Sequence, residues 1–208
     1  MTPATTPGNA APDLVLASGS PTRARLLAAA GVPFRVVAPA GVEETMKAML
    51  RADGVEASAA ALALATAKAR AVSTLEPGAL ILGADQIADL EGHWLDKPGT
   101  REAARAQLDR LRGRDHKLLS AVVLVQNGVP LWSHVEPCHL VMRAFSDAVR
   151  EAYLADPDDG FLGCAGGYEI EGRGIALFER VQGDVFAIQG LPLLPVLAAL
   201  RTLGVLPT

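Results

Sequence analysis

Cysteine is scarce in this chain. The two that occur, Cys138 and Cys164, cannot build the multi-bridge framework of a small secreted domain, and they fit a reducing cytoplasm. Positive charge is not in excess. At a formal −4 the chain has no broad surface for stable nucleic-acid binding, so any cation that meets phosphate must act locally. Aromatics make up only 4% of the residues, and abundant alanine suits close helix–sheet packing instead. The most apolar stretch, residues 185–200, is broken by Gln189, Gly190, Pro192 and Pro195. It falls short of the ~20 apolar residues that a membrane helix needs. Residues 1–13 have neither the basic nor the apolar region of a signal peptide and read as a disordered Pro/Thr/Ala tail. The Walker phosphate loop and the Rossmann glycine triplet are both missing. His134, Cys138 and His139 lie close together, but no CxxC or HxxxH spacing supports zinc and Pro137 interrupts the segment.

What remains is a chain of 208 residues, half of them hydrophobic. That is enough for one large α/β domain or two closely merged lobes, and residues 14–208 are read as a single domain. The organising stretch is residues 80–97. Leu80-Ile81-Leu82 reads as a short buried strand that stops at Gly83-Ala84 and delivers an acid, Asp85, into a loop. In open α/β sheets the ligand crevice lies at such carboxyl ends. The chain then turns at Glu91-Gly92 and returns to Asp96-Lys97-Pro98. This hairpin carries a candidate general base, Asp85, near one end and a candidate phosphate ligand, Lys97, near the other. An Asp that simply caps the next turn is the commoner reading of one taken at random.

Earlier in the chain, residues 14–17 form an apolar run that leads into Ser18-Gly19-Ser20-Pro21-Thr22-Arg23 and then an alanine-rich helix. Ser20 sits at the N-cap position and Pro21 at the first helical position. The loop amides and the helix N-terminus favour an anion, and Ser18, Ser20 and Arg23 add hydroxyls and a guanidinium fork. An ordinary capped helix fits equally well. Glu43 and Glu44 follow a second strand, residues 34–37, and are either a site for Mg²⁺ or a solvated helix start. Lys68 stands on a small, apolar helix, where it either snorkels to water or points into a cleft. A hairpin is expected across Gln126-Asn127-Gly128, a strand over residues 175–178, and unusual backbone in the glycine-rich segment 163–174.

The segments LASGSPTR (16–23), LALATAKARAV (62–72), GADQ (83–86), DKPGTREAA (96–104), AGGYEIEGRG (165–174) and GLPL (190–193) occur in the order seen in the Maf (septum-formation) family of nucleoside triphosphate pyrophosphatases. The resemblance runs from Leu14 to Gly204. It implies a two-lobed α/β fold around a long mixed sheet, as in inosine triphosphatases, often dimeric. It also implies a cleft that takes a nucleotide with Mg²⁺ or Mn²⁺, and release of pyrophosphate in the cytoplasm. Matched position by position, Asp85 corresponds to the family's proton acceptor, and Ser18, Ser20 and Arg23 to its phosphate loop. Glu44, Lys68 and Lys97 correspond to polar cleft residues, with Glu44 and Asp85 as the implied metal ligands.

Three positions that separate the family's branches fall at Thr22, Gln86 and Glu171. Gln86 and Glu171 resemble the 7-methyl-GTP branch, whereas the dTTP/UTP branch has Thr and Gln there. Thr22 departs from both, Glu43 replaces a usual Asp, and Ser120-Ala121 stands where Thr-Gly is common. The chemistry of the base agrees with the guanine reading. Guanine offers N1–H and N2–H₂ as adjacent donors, which an acceptor-only carboxylate such as Glu171 can take; a solvent-exposed loop carboxylate is the bland alternative. The expected enzyme is therefore a pyrophosphatase for 7-methyl-GTP or a related nucleotide. The alternatives are a dTTP/UTP enzyme and a non-catalytic nucleotide-binding regulator of division.

Overall fold

The computed structural model describes residues 13–39, 41 and 43–208. The expected N-terminal tail, apart from Asp13, lies outside the described residues. Asp13 itself is tied down: its carbonyl accepts from Leu80 N at 2.9 Å and its carboxylate holds Arg35 at 2.7 Å.

The strands are β1 (Leu14–Ala17), β2 (Arg35–Val36), β3 (Leu80–Leu90), β4 (His93–Leu95), β5 (Asp115–Gln126), β6 (Val129–Met142) and β7 (Phe178–Gln182). They form one seven-stranded sheet in the order β2-β1-β3-β5-β6-β7, with β4 also paired to β3. The β1 pairings to β2 and β3 are parallel, and the rest are antiparallel. The helices are α1 (Pro21–Ala29), α2 (Glu43–Ala52), α3 (Ala57–Ser73), α4 (Arg101–Leu111), α5 (Asp147–Leu154), α6 (Val185–Ile188) and α7 (Leu193–Thr202). This is the mixed α/β architecture expected. Among the described residues no helix is long and apolar enough to cross a membrane.

Hydroxyl caps start three helices, Ser20 among them as expected. Ser20 Oγ accepts Arg23 N at 3.4 Å, Thr100 Oγ1 accepts Ala103 N at 3.1 Å, and Ser146 Oγ accepts Val149 N at 3.4 Å, each starting its helix. Two-residue turns with both φ positive close the β3–β4 and β5–β6 hairpins, at Glu91-Gly92 (54° and 83°) and Asn127-Gly128 (50° and 77°). This backbone twist matches that of the flanking strands.

Other expectations are corrected. β3 does not stop at Gly83-Ala84; it runs on through Asp85 to Leu90, paired throughout with β5. β6 likewise continues through Pro137 to Met142. The missing N–H is tolerated because β7 reaches β6 only from His139 onward, so Pro137 lies where that side of the strand is an edge. The strand expected over residues 175–178 is instead a short 3₁₀ turn, Arg173–Leu177, with β7 beginning at Phe178.

Strand periodicity sorts the core. On β3 and β5 the odd-numbered side chains, including Ile81, Ile87, Ala121 and Val123, pack under α3. The even-numbered ones face the other way and divide in two. Leu80, Leu82, Ala84, Val122 and Leu124 join α1 and α7. Ala88, Leu90 and Leu118 join α4, α5 and the Gly160–Gly163 turn. These are the two lobes. Between them on the same face lies the paired polar rung Gln86–Ser120.

Candidate active site

The site forms where β3 loses one neighbour before gaining the next. Pairing with β1 ends at Ala17–Gly83, and pairing with β4 begins at Ala88–Leu95. Residues 84–87 therefore have a free edge towards the loop that follows β1. Alternation then places Asp85 on the α3 face and Gln86 on the lobe face, so one break in the sheet exposes both. Arg23 caps the free edge: its Nη1 donates to Ala84 O at 3.1 Å and to Ser18 Oγ at 3.1 Å, while its Nε donates to Gly190 O at 2.8 Å. Burial lowers the Arg23 pKa, opposed by Asp85 and Glu43. Arg23 is thus a strut joining β3, the Ser18 loop and the turn that follows α6, as well as a cation beside the acids. Ser18 Oγ also accepts Ser20 N at 3.2 Å, which folds the loop into a tight turn.

On the α3 face, Asp85 is 4% exposed and Lys68 7% exposed. Lys68 Nζ donates to Asp85 Oδ1 at 2.5 Å and meets Glu43 Oε2 at 2.7 Å. An ammonium this buried is sustainable only because both acids take its protons. Burial works against the charged form of Glu43, but Lys68, Lys97 and Lys47 together hold its carboxyl below the ordinary value. Helix α3 can approach this closely because β3 carries Gly83 at the contact, where a Cβ would lie 2.3 Å from Ala65 O.

The cavity at this break is about 620 Å³. Its lining includes Ser18, Ser20, Thr22, Arg23, Lys68, Asp85, Gln86 and Lys97, together with Glu169 and Glu171 of the glycine-rich segment and Ile188 to Gly190. Residues read from distant parts of the sequence thus line one space. Glu44 does not: it is exposed and outside this lining, and the structure turns Glu43 to Lys68 instead. The helical repeat explains the exchange. Met46 and Leu50 are the residues of α2 that pack against the α3 cluster, and Glu43 shares their face at i+3 and i+7. That pattern was available in the sequence.

Two further contributors escaped the sequence reading. Ser120 interrupts the apolar alternation Leu118, Val122, Leu124 of β5, a signal that a polar group is wanted there; it is fully buried. Glu169 lines the cavity beside Glu171, and burial, then Glu171 and Asp158, raise its pKa. Glu171 sits at the rim with Arg25 Nη2 4.0 Å away.

The sequence profile described as Maf-like protein matches residues 13–203. A protein of Rhodospirillum rubrum named nucleoside triphosphate pyrophosphatase is 51% identical over 195 residues, covering 94% of this chain and 96% of its own. One of Ruegeria pomeroyi with the same name is 44% identical over 195 residues, covering 94% and 98%. One of Mesorhizobium japonicum, named 7-methyl-GTP pyrophosphatase, is 47% identical over 192 residues, covering 92% and 96%. With its motifs gathered around a single cleft and relatives of this identity along nearly its whole length, the chain belongs to the Maf-like protein family.

Proposed function

We propose that this protein hydrolyses a nucleoside triphosphate to the monophosphate and pyrophosphate, with a guanine-type base, such as that of 7-methyl-GTP, preferred. The observation that carries this reading is the buried Asp85 carboxylate in the gap of β3, held by Lys68 and open to a cleft that Arg23, Lys68 and Lys97 also line. The names of the relatives support the reaction, and that of the Mesorhizobium protein supports the base.

In this reading the triphosphate lies along the Ser18–Ser20 loop, the N-terminus of α1 and Lys97. Backbone amides and charged side chains there offset its negative charge. Asp85 accepts the proton of the water that attacks the α-phosphorus, a contribution of ~10²–10⁴ in rate for a positioned base. Lys68 and Lys97 stabilise the charge that develops on the leaving pyrophosphate.

The donor set also fits a divalent cation of the Mg²⁺ or Mn²⁺ type. Asp85 and Glu43 already share one ammonium, so their oxygens converge. Among the described residues no cluster of three His, Cys, Asp or Glu forms a protein cage. Mg²⁺ characteristically takes one or two carboxylates and completes its shell with water and substrate phosphate. Asp85 and Glu43 would hold it, with Glu43 in the place the resemblance gave to Glu44. The cation would supply charge neutralisation at the phosphates.

The test is pyrophosphate release from 7-methyl-GTP, GTP, UTP, dTTP and CTP with Mg²⁺ or Mn²⁺. Turnover highest with guanine nucleotides is expected. Release from none of them would refute the reaction, and a preference for UTP and dTTP would refute the base.

A further inference from the structure

We infer that Ser120 is a positioning residue that, by anchoring the Ala187 carbonyl, helps that carbonyl and the Ile188 carbonyl fix the side-chain amide of Gln86 in one orientation, so that the cleft meets a nucleobase with an acceptor only. This rests on the proposed nucleotide reaction, but its structural basis is independent of it.

Gln86 Nε2 lies 2.8 Å from Ser120 Oγ, 3.0 Å from Ala187 O and 3.0 Å from Ile188 O. Two of these three partners are carbonyls and can only accept. The third is committed to accepting as well, because the Ser120 hydroxyl donates its own proton to Ala187 O at 2.6 Å. A glutamine amide has two donors on nitrogen and an acceptor on oxygen. If it turned over, its oxygen would face two carbonyl oxygens with no proton between them. The nitrogen is therefore held inward, and its protons are consumed by the protein. The amide oxygen has no hydrogen-bond partner among the described residues, and it is not among the buried polar atoms left without one. It is left open on the side where Gln86 lines the cavity.

The consequence is chemical. A freely rotating glutamine can answer either a donor or an acceptor on the base, and so discriminates poorly. Held in one orientation, Gln86 answers only an N–H. Glu171, which lines the same cavity, is acceptor-only as a carboxylate. Two acceptors suit a base edge with adjacent donors, as in guanine, and suit poorly the alternating edge of uracil, which offers one N–H between two carbonyls. The selectivity of the cleft is thus set partly by a buried serine that touches no substrate.

Two measurements test this. The first is the ratio of kcat/KM for GTP to that for UTP in wild type, Ser120→Ala and Ser120→Thr. Ser120→Ala leaves two carbonyl acceptors for the two amide protons but loses the bond that anchors the Ala187 carbonyl, and should lower the ratio about three- to tenfold, the scale of one hydrogen bond; threonine, which keeps the hydroxyl, should preserve it. An unchanged ratio in Ser120→Ala, or an equal fall for both nucleotides, overturns the proposal, since a merely structural serine gives that result. The second is solvent exchange of the Gln86 side-chain amide protons by NMR, assigned by their loss in Gln86→Met. Slow exchange in wild type and faster exchange in Ser120→Ala are expected. Exchange in wild type as fast as in an exposed glutamine overturns the proposal, whether or not Ser120→Ala folds. If wild type releases pyrophosphate from no nucleotide, the proposed reaction fails and the exchange measurement still decides the orientation.

Discussion

Gly83→Ala is a one-methyl change that links the packing of α3 to the chemistry of Asp85. A Cβ at Gly83 would lie 2.3 Å from Ala65 O, 2.8 Å from Ala69 Cβ and 3.1 Å from Val123 Cγ1. Ordinary non-bonded separations are ~3.5 Å or more, so α3 and β3 must part by about 1 Å. The tightest contact is with helix backbone, which has no rotamer by which to move aside. Overpacking of this kind costs roughly 1–3 kcal/mol, which for a chain of this size lowers Tm by roughly 2–12 °C. The displacement also acts on function. Lys68 is on the same turn of α3 as Ala65 and Ala69, and its 2.5 Å contact with Asp85 spans the same interface. Misplacing a reacting group by ~1 Å can cost ~10²-fold in rate. Calorimetry should show the fall in Tm, and pyrophosphate release the fall in kcat. Adding Ala69→Gly should not restore either, because the Ala65 carbonyl remains. A Tm within about 1 °C of wild type, together with unchanged kcat, would refute the idea that this glycine sets the α3–β3 separation.

Three other changes probe the site and its supports. Asp85→Asn should reduce turnover by ~10²–10⁴-fold with the far-ultraviolet circular dichroism spectrum retained; turnover within a few-fold of wild type would show that Asp85 is not the base. Glu171→Gln swaps an acceptor for a donor opposite a base N–H, and should lower kcat/KM for guanine nucleotides roughly ten- to a hundredfold while sparing UTP. An equal loss for all nucleotides would assign Glu171 to structure or catalysis instead. Burial lowers the His116 pKa from 6.5 to about 4 in the fold, where its Nε2 lies 2.7 Å from Tyr168 Oη. The unfolded chain therefore takes up a proton between pH 6.5 and 4 that the folded chain does not. The stability this histidine contributes is present above 6.5 and declines by about 3 kcal/mol as pH falls to 4. Chemical denaturation across that window should show a flatter profile in His116→Gln, and parallel profiles would remove His116 as the cause.

The parts of this protein governed by near neighbours in sequence were decided by the sequence alone. Asn127-Gly128 turns where it does because few residues besides glycine and asparagine sit readily at positive φ, and Glu91-Gly92 turns on its glycine. Ser20, Thr100 and Ser146 begin helices because a hydroxyl two or three residues ahead satisfies a free amide. The residue pattern around Asp85, Lys68, Lys97 and the Ser18 loop points by itself to phosphate chemistry, and these residues line one cleft. Only the tertiary structure could place Asp85 inside a continuous strand. Local sequence reports the small residues Gly83 and Ala84, but not that α3 packs on Gly83 or that β1 ends beside it while β5 carries on. The orientation of the Gln86 amide depended on carbonyls a hundred residues away in sequence. A side chain's type is written at its own position; its direction and its hydrogen-bond partners are set by chain segments that meet only when the sheet and its helices close around them.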